Sequence, residues 1–117
     1  MDHQGDLFYI GIKHVADFAE VWGLKQVDGW ATTSDDSGNS CIPFWPEREF
    51  AELCLSGEWV EYYAELIPLY EFMEDWLMDM NEDNVKVSVF PNFTPNTVVI
   101  EGKVLLEHLK GELELYE

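Results

Sequence analysis

Between residues 68 and 100 the hydrophobic period of the chain changes once, and that change constrains the fold more than any other feature. Leu69, Phe72, Met73, Trp76, Leu77 and Met80 recur at helical spacing and make one apolar stripe, while Glu71, Glu74, Asp75 and Asp79 take the other side. Pro68 and Leu69 open this helix and "NEDN" breaks it. "VKVSVFP" then alternates with period two, "TPN" turns, and "TVVIE" returns, which predicts an antiparallel pair.

The remaining segments show the same mixture. Phe8, Ile12, Val15, Ala16 and Ala19 share one side of a helix over residues 6–19, with Asp6 placed to cap its start. Gly11 weakens that helix, since an interior glycine costs about 1 kcal/mol relative to alanine. "EVWGLKQVDGWATTS" reads as strand, tight turn, strand, with Asp28-Gly29 as the hairpin signal. "DDSGNS" is a second turn and "CIPFW" a third strand, in which Pro43 lacks a ladder donor and so predicts an edge or a bulge.

Pro46 suits a first helical position, and Glu47 and Glu49 suit the positive end of the helix dipole. Phe50, Leu53 and Cys54 follow at helical spacing, and Gly57 ends that short helix. The second half of "EWVEYYAELIPL" reads as a short strand. Gly102 precedes a last helix along which Leu105, Leu106, Leu109, Leu113 and Tyr116 line up, with Gly111 softening its second half. Helices and strands alternate without regular βαβ units. The expected fold is therefore α+β: a single domain over residues 1–117, with a mixed or mainly antiparallel sheet packed by about four helices.

A chain of 117 residues fits one domain and hides roughly two thirds of the surface that its unfolded form exposes. Its 24 acids against 6 bases give a net charge of -18. That balance argues against nucleic acid or an anionic membrane as partner, because phosphate recognition needs Lys and Arg stripes, and it steers cationic partners toward the surface. Cys41 and Cys54 make neither a disulfide framework nor a C-x-x-C pair. The start "MDHQGDLFYIGIKHV" lacks the basic and apolar regions of a signal peptide, and no apolar run nears the roughly 20 residues that span a bilayer. The expected location is cytoplasmic, where the sequon at Asn92 has no role.

The blocks "EVWGLKQVDGWA", "PFWPEREFAELC", "GEWVEYYAELIPLYEFMEDWL", "VSVFPN" and "VVIEG" occur in order from about residue 8 onward. Together they resemble an uncharacterised bacterial family, domain-of-unknown-function family 2750. The resemblance implies a small bacterial cytosolic protein and supplies no activity, cofactor or catalytic residue.

Catalytic and metal patterns fail one by one. His3, His14 and His108 lie in different segments, and His14 with Asp17 one turn on offers two ligands at most. An EF-hand loop from Asp35 requires glycine and glutamate where the chain has Ser40 and Pro46, and a start at Asp36 puts Cys41 in the glycine position. No G-x-S-x-G and no phosphate loop is present, and Cys54 falls on an apolar helix side. Acids are so plentiful that neighbouring carboxylates carry no signal for acid–base work. No catalytic residue, metal ligand or cofactor site is assigned.

Binding features are stronger. Most of the five tryptophans are expected to pack together, with Trp76 in the core stripe and Trp22 beside Leu24 on one strand face. Trp45 and Trp59 stand at element ends, where a ring can stay open, and Arg48, the only arginine, lies between them. Arg48 can bind a carboxylate or stack on a ring; the plainer reading is an ion pair with Glu52.

Residues 47–83 hold twelve acids and one base. Glu71, Glu74, Asp75 and Asp79 belong to that run and make a face that is either a solvated surface or a receiver of a basic protein. The leading expectation is a non-enzymatic protein-interaction module. An immunity-type or DNA-mimic inhibitor of a basic protein, and a small-ligand binder with an Arg48–tryptophan pocket, are the alternatives. An apolar strand edge near Pro43 leaves a homodimer open.

Overall fold

Both hydrophobic periods appear as elements in the computed structural model, which describes residues 3–34, 37–91 and 98–114. In chain order they are α1 (His3–Phe18), β1 (Glu20–Gln26), β2 (Gly29–Trp30), β3 (Thr33–Ser34), β4 (Ser40–Phe44) and α2 (Arg48–Glu52). After a single-turn 3-10 helix at Gly57–Trp59 come β5 (Tyr63–Pro68) and α3 (Leu69–Glu71). A π-helical segment at Phe72–Trp76 leads without a break into α4 (Leu77–Glu82), so residues 69–82 form one helix. Strands β6 (Lys86–Val89) and β7 (Val98–Ile100) and helix α5 (Gly102–Glu114) complete the chain. The expected α+β architecture is present, with four helical units and both parallel and antiparallel pairing.

Two sheets form, in the orders β2-β1-β5 and β3-β4-β6-β7. Val27 and Asp28 turn β1 into β2, one residue earlier than the Asp28-Gly29 signal suggests, and Gly29 begins β2 opposite Gln26 with a positive φ of 141°, which favours glycine. β1 pairs antiparallel with the whole of β5, from Glu20 opposite Pro68 to Lys25 opposite Tyr63. β4 runs parallel to β6, and β6 antiparallel to β7. The "TPN" turn expected between β6 and β7, and Tyr116, lie outside the described residues.

Pro43 corrects one expectation and explains the junction of the sheets. β4 is an interior strand, not an edge. On the side away from β6, Cys41 pairs with Thr33 of β3, whereas Trp45 exchanges two backbone hydrogen bonds with Trp22 of β1, at 2.9 and 2.8 Å. Residues two apart on a strand direct their amides to the same edge. Pro43 therefore falls where the partner changes from β3 to β1, and its missing N–H leaves no donor orphaned.

The core divides along the two faces of this sheet system. On one face α1, the helix of residues 69–82 and α5 bury Ile12, Val15, Phe72, Leu77, Leu105 and Leu109 against Val21, Phe44, Val87 and Val89. On the other, α2 and the turn that follows it bury Ala51 and Cys54 against Leu24, Ala31 and Trp45. Gly11, costly to helix propensity, sits where the Phe90 ring fills the place of a Cβ. Ser88 is buried between Val87 and Val89 because β6 is covered on both faces, so "VKVSVFP" does not alternate in burial.

Several boundaries differ from the sequence reading. α1 starts at His3, so Asp6 lies inside it rather than capping it, and Ala19 sits beyond its end with φ of 56°. α2 starts at Arg48 with Glu47 as N-cap, which leaves Pro46 outside the helix. That helix ends before Leu53, which is exposed, and Gly57 opens the 3-10 turn instead of closing α2. Gly102 is the first residue of α5, and the helix continues past Gly111 to Glu114.

Candidate functional site

The helix of residues 69–82 buries Leu69, Phe72, Leu77 and Met80, as its apolar stripe requires. One row to the side, Tyr70, Glu74 and Met78 rise roughly a turn apart toward α5. α5 buries Leu105 and Leu109 and turns Leu106 and Leu113 partly outward. Between these two rows lies a groove of about 520 Å³, lined also by Leu69, Met73 and Ala19. Its size is within the range of ligand and peptide sites. The π-helical segment supplies Met73 and Glu74 to this wall, and such wide turns inside α-helices frequently mark functional sites.

The banks differ in charge. Glu74 and, on the next row out, Glu71, Asp75 and Asp79 are all exposed. Glu82 and Asp83 extend the acidic side to the helix end. Lys110 on α5 is the only base among the described lining residues. Tyr70 is bound to the acidic bank: its hydroxyl donates to the Glu74 carboxylate, and that bond together with the negative charge of Glu74 raises the phenol above its ordinary value of 10.0.

The neutral phenol is thus the form favoured by the fold. Its contribution is present below the ordinary value and is lost as pH rises through the raised one. In an absorbance titration the component removed by Tyr70→Phe is expected to ionise later than an ordinary exposed tyrosine. Glu74→Gln should bring that component down toward 10.0. An ionisation unmoved by Glu74→Gln would reject the bond.

The residues singled out from sequence fall into two places. Glu74 lines the groove, whereas Glu71, Asp75 and Asp79 are exposed on the next row of the same helix and are not among its lining residues. Trp45, Arg48 and Trp59 lie on the opposite face of the sheet, with α2. Trp45 does not keep an open ring: it is fully buried, donates its Nε1–H to the Pro91 carbonyl at 2.7 Å, and meets Trp59 edge-on at 6.3 Å. Trp59 is half-buried. Arg48 makes the ion pair with Glu52, at 3.2 Å, and its guanidinium stacks on Trp22 at 5.9 Å from the ring centre. His14 stacks on Phe18 at 4.5 Å and approaches Glu47 at 3.3 Å.

The groove itself escaped the sequence reading. By spacing alone Leu106 and Leu113 line up with Leu105 and Leu109 along α5, and Tyr70 and Met78 belong to neither side of the acidic helix. The available signal was the row Tyr70, Glu74, Met78: a large aromatic and a methionine repeating at helical spacing among carboxylates, outside the core stripe.

Among the described residues no three His, Cys, Asp or Glu side chains gather as metal ligands, and no helix is long and apolar enough to cross a membrane. No curated protein and no solved structure matches the chain. The family model described as "Protein of unknown function (DUF2750)" matches residues 9–109, from the second turn of α1 into α5, which takes in the groove bank on residues 69–82 and, of the α5 bank, Leu106 but not Lys110 or Leu113, and the chain belongs to that family.

Proposed function

We propose that the domain is a non-enzymatic interaction module whose acidic helix receives a basic protein. The observation that carries this reading is the row of exposed carboxylates Glu71, Asp75 and Asp79 running beside an apolar groove, in a chain of net charge -18. Carboxylates alone would keep a surface solvated. Carboxylates bordering apolar area supply both long-range attraction to a cation and a surface whose burial holds the complex together. An inhibitor of a basic protein is the sharper form of the same reading.

A lysine decapeptide tests the electrostatic part. Binding should weaken about tenfold between roughly 50 and 300 mM salt, as screening shortens the reach of surface charges. The variant Glu71→Gln, Glu74→Gln, Asp75→Asn, Asp79→Asn should abolish it. The equal charge change Glu49→Gln, Glu61→Gln, Glu107→Gln, Glu114→Gln, all at exposed positions, should leave most of it. Equal losses in both variants would show that net charge alone binds the peptide and would defeat the proposal.

A further inference from the structure

We infer that the groove between the helix of residues 69–82 and α5 docks the apolar face of a basic amphipathic helix. This deepens the reading above and rests on it, since the carboxylate row supplies the attraction that brings such a helix in.

Three features select this occupant. First, the groove lies between two helices and is open to solvent rather than closed over, the form into which a helix lays one face. Second, Met73 and Met78 line it together with Leu106 and Leu113. Thioether side chains adapt to many apolar shapes, and methionine is favoured where partner helices are received. Third, the two banks are unlike. A helix seated on the leucines and methionines would lay one flank along Glu71, Asp75 and Asp79, and the other beside Lys110. Basic residues are therefore wanted on the first flank and disfavoured on the second, which fixes the orientation of the partner.

The test uses two peptides of about 18 residues, roughly five helical turns. One carries leucines along one face and lysines on the other; in the second, alanines replace the leucines and the charge is unchanged. The leucine peptide should bind at least about tenfold more tightly, a difference of about 1.4 kcal/mol. Met78→Glu should weaken the leucine peptide about tenfold although it adds a negative charge, and should not weaken the alanine peptide. Met78 is 49% exposed, so this change leaves the core intact. Lys110→Glu should tighten the leucine peptide by removing the repulsive bank.

If both peptides bind equally, the groove inference fails while the acidic-face reading stands. If neither binds, both fail. If Met78→Glu instead converts a dimer to a monomer in sedimentation without peptide, the groove is a self-association surface and the inference is overturned.

Discussion

Replacing Trp45 with alanine is expected to lower stability by about 3–5 kcal/mol, the range for deleting a fully buried aromatic. Total stability of a domain this size is about 5–15 kcal/mol, so the loss approaches the whole of a marginal fold. The effect has separable parts. Trp45 is fully buried between β4 and α2, where its ring packs on Leu24, Ala51 and Cys54 and edge-on against Trp59. Its removal leaves a cavity at the point where β1 and β4 join through Trp22. It also strips the Pro91 carbonyl of the indole donor at 2.7 Å. Trp45→Phe separates the two: it keeps most of the ring volume, loses the donor, and should cost about 1–3 kcal/mol. Urea unfolding measures both, and the thermal midpoint of the alanine variant should fall by about 4 °C per kcal/mol. A loss below about 1.5 kcal/mol would mean that the second core beneath α2 does not hold the domain together.

Trp45 also shows where sequence reasoning stopped. Its position at a strand end was legible, because Pro43 and Pro46 bracket it and charge follows. Its burial was not, because the covering groups arrive from Trp59 and Pro91, far along the chain. The same limit applies to β4 and β6. Their parallel pairing, with Phe44 opposite Val89, joins segments that no local pattern connects. Period and turn chemistry, by contrast, report on neighbours in sequence. They gave the stripe of residues 69–80, the hairpin signalled by Asp28-Gly29 and the α5 leucines. They missed the strands of only two residues, β2 and β3 as separate pieces, since two residues show no period.

The candidate site was half visible for a related reason. Charge is a property of the sequence, so Glu71, Glu74, Asp75 and Asp79 stood out and are exposed in the fold. A groove is a property of two elements together. Leu106 and Leu113 look like core until the crossing of α5 with residues 69–82 is known, because helical spacing cannot tell a buried leucine from one at the edge of a helix contact. The π-helical turn at Phe72–Trp76 has no sequence signature of its own, yet it shapes the wall that carries Met73 and Glu74.

The crossing that creates the groove makes a prediction in which two like substitutions in one helix take opposite signs. Gly111→Ala should stabilise the domain by about 0.5–1 kcal/mol: the position is exposed and helical, nothing lies near the added methyl, and alanine outranks glycine in a helix. Gly102→Ala should destabilise by about 1–3 kcal/mol or more, although it too replaces glycine in α5. Gly102 is buried where α5 begins, and a Cβ there would stand 2.6 Å from the Leu77 carbonyl oxygen, a backbone atom that no rotamer change can move. The start of α5 must then shift away from α4, and Leu106 shifts with it relative to Met78. Chemical denaturation gives both signs directly. A stabilising Gly102→Ala would show that the helices do not touch at Leu77, and the groove geometry would fall with that contact. A destabilising one, accompanied by weaker binding of the leucine peptide to the folded variant, ties the groove to the packing of its two helices.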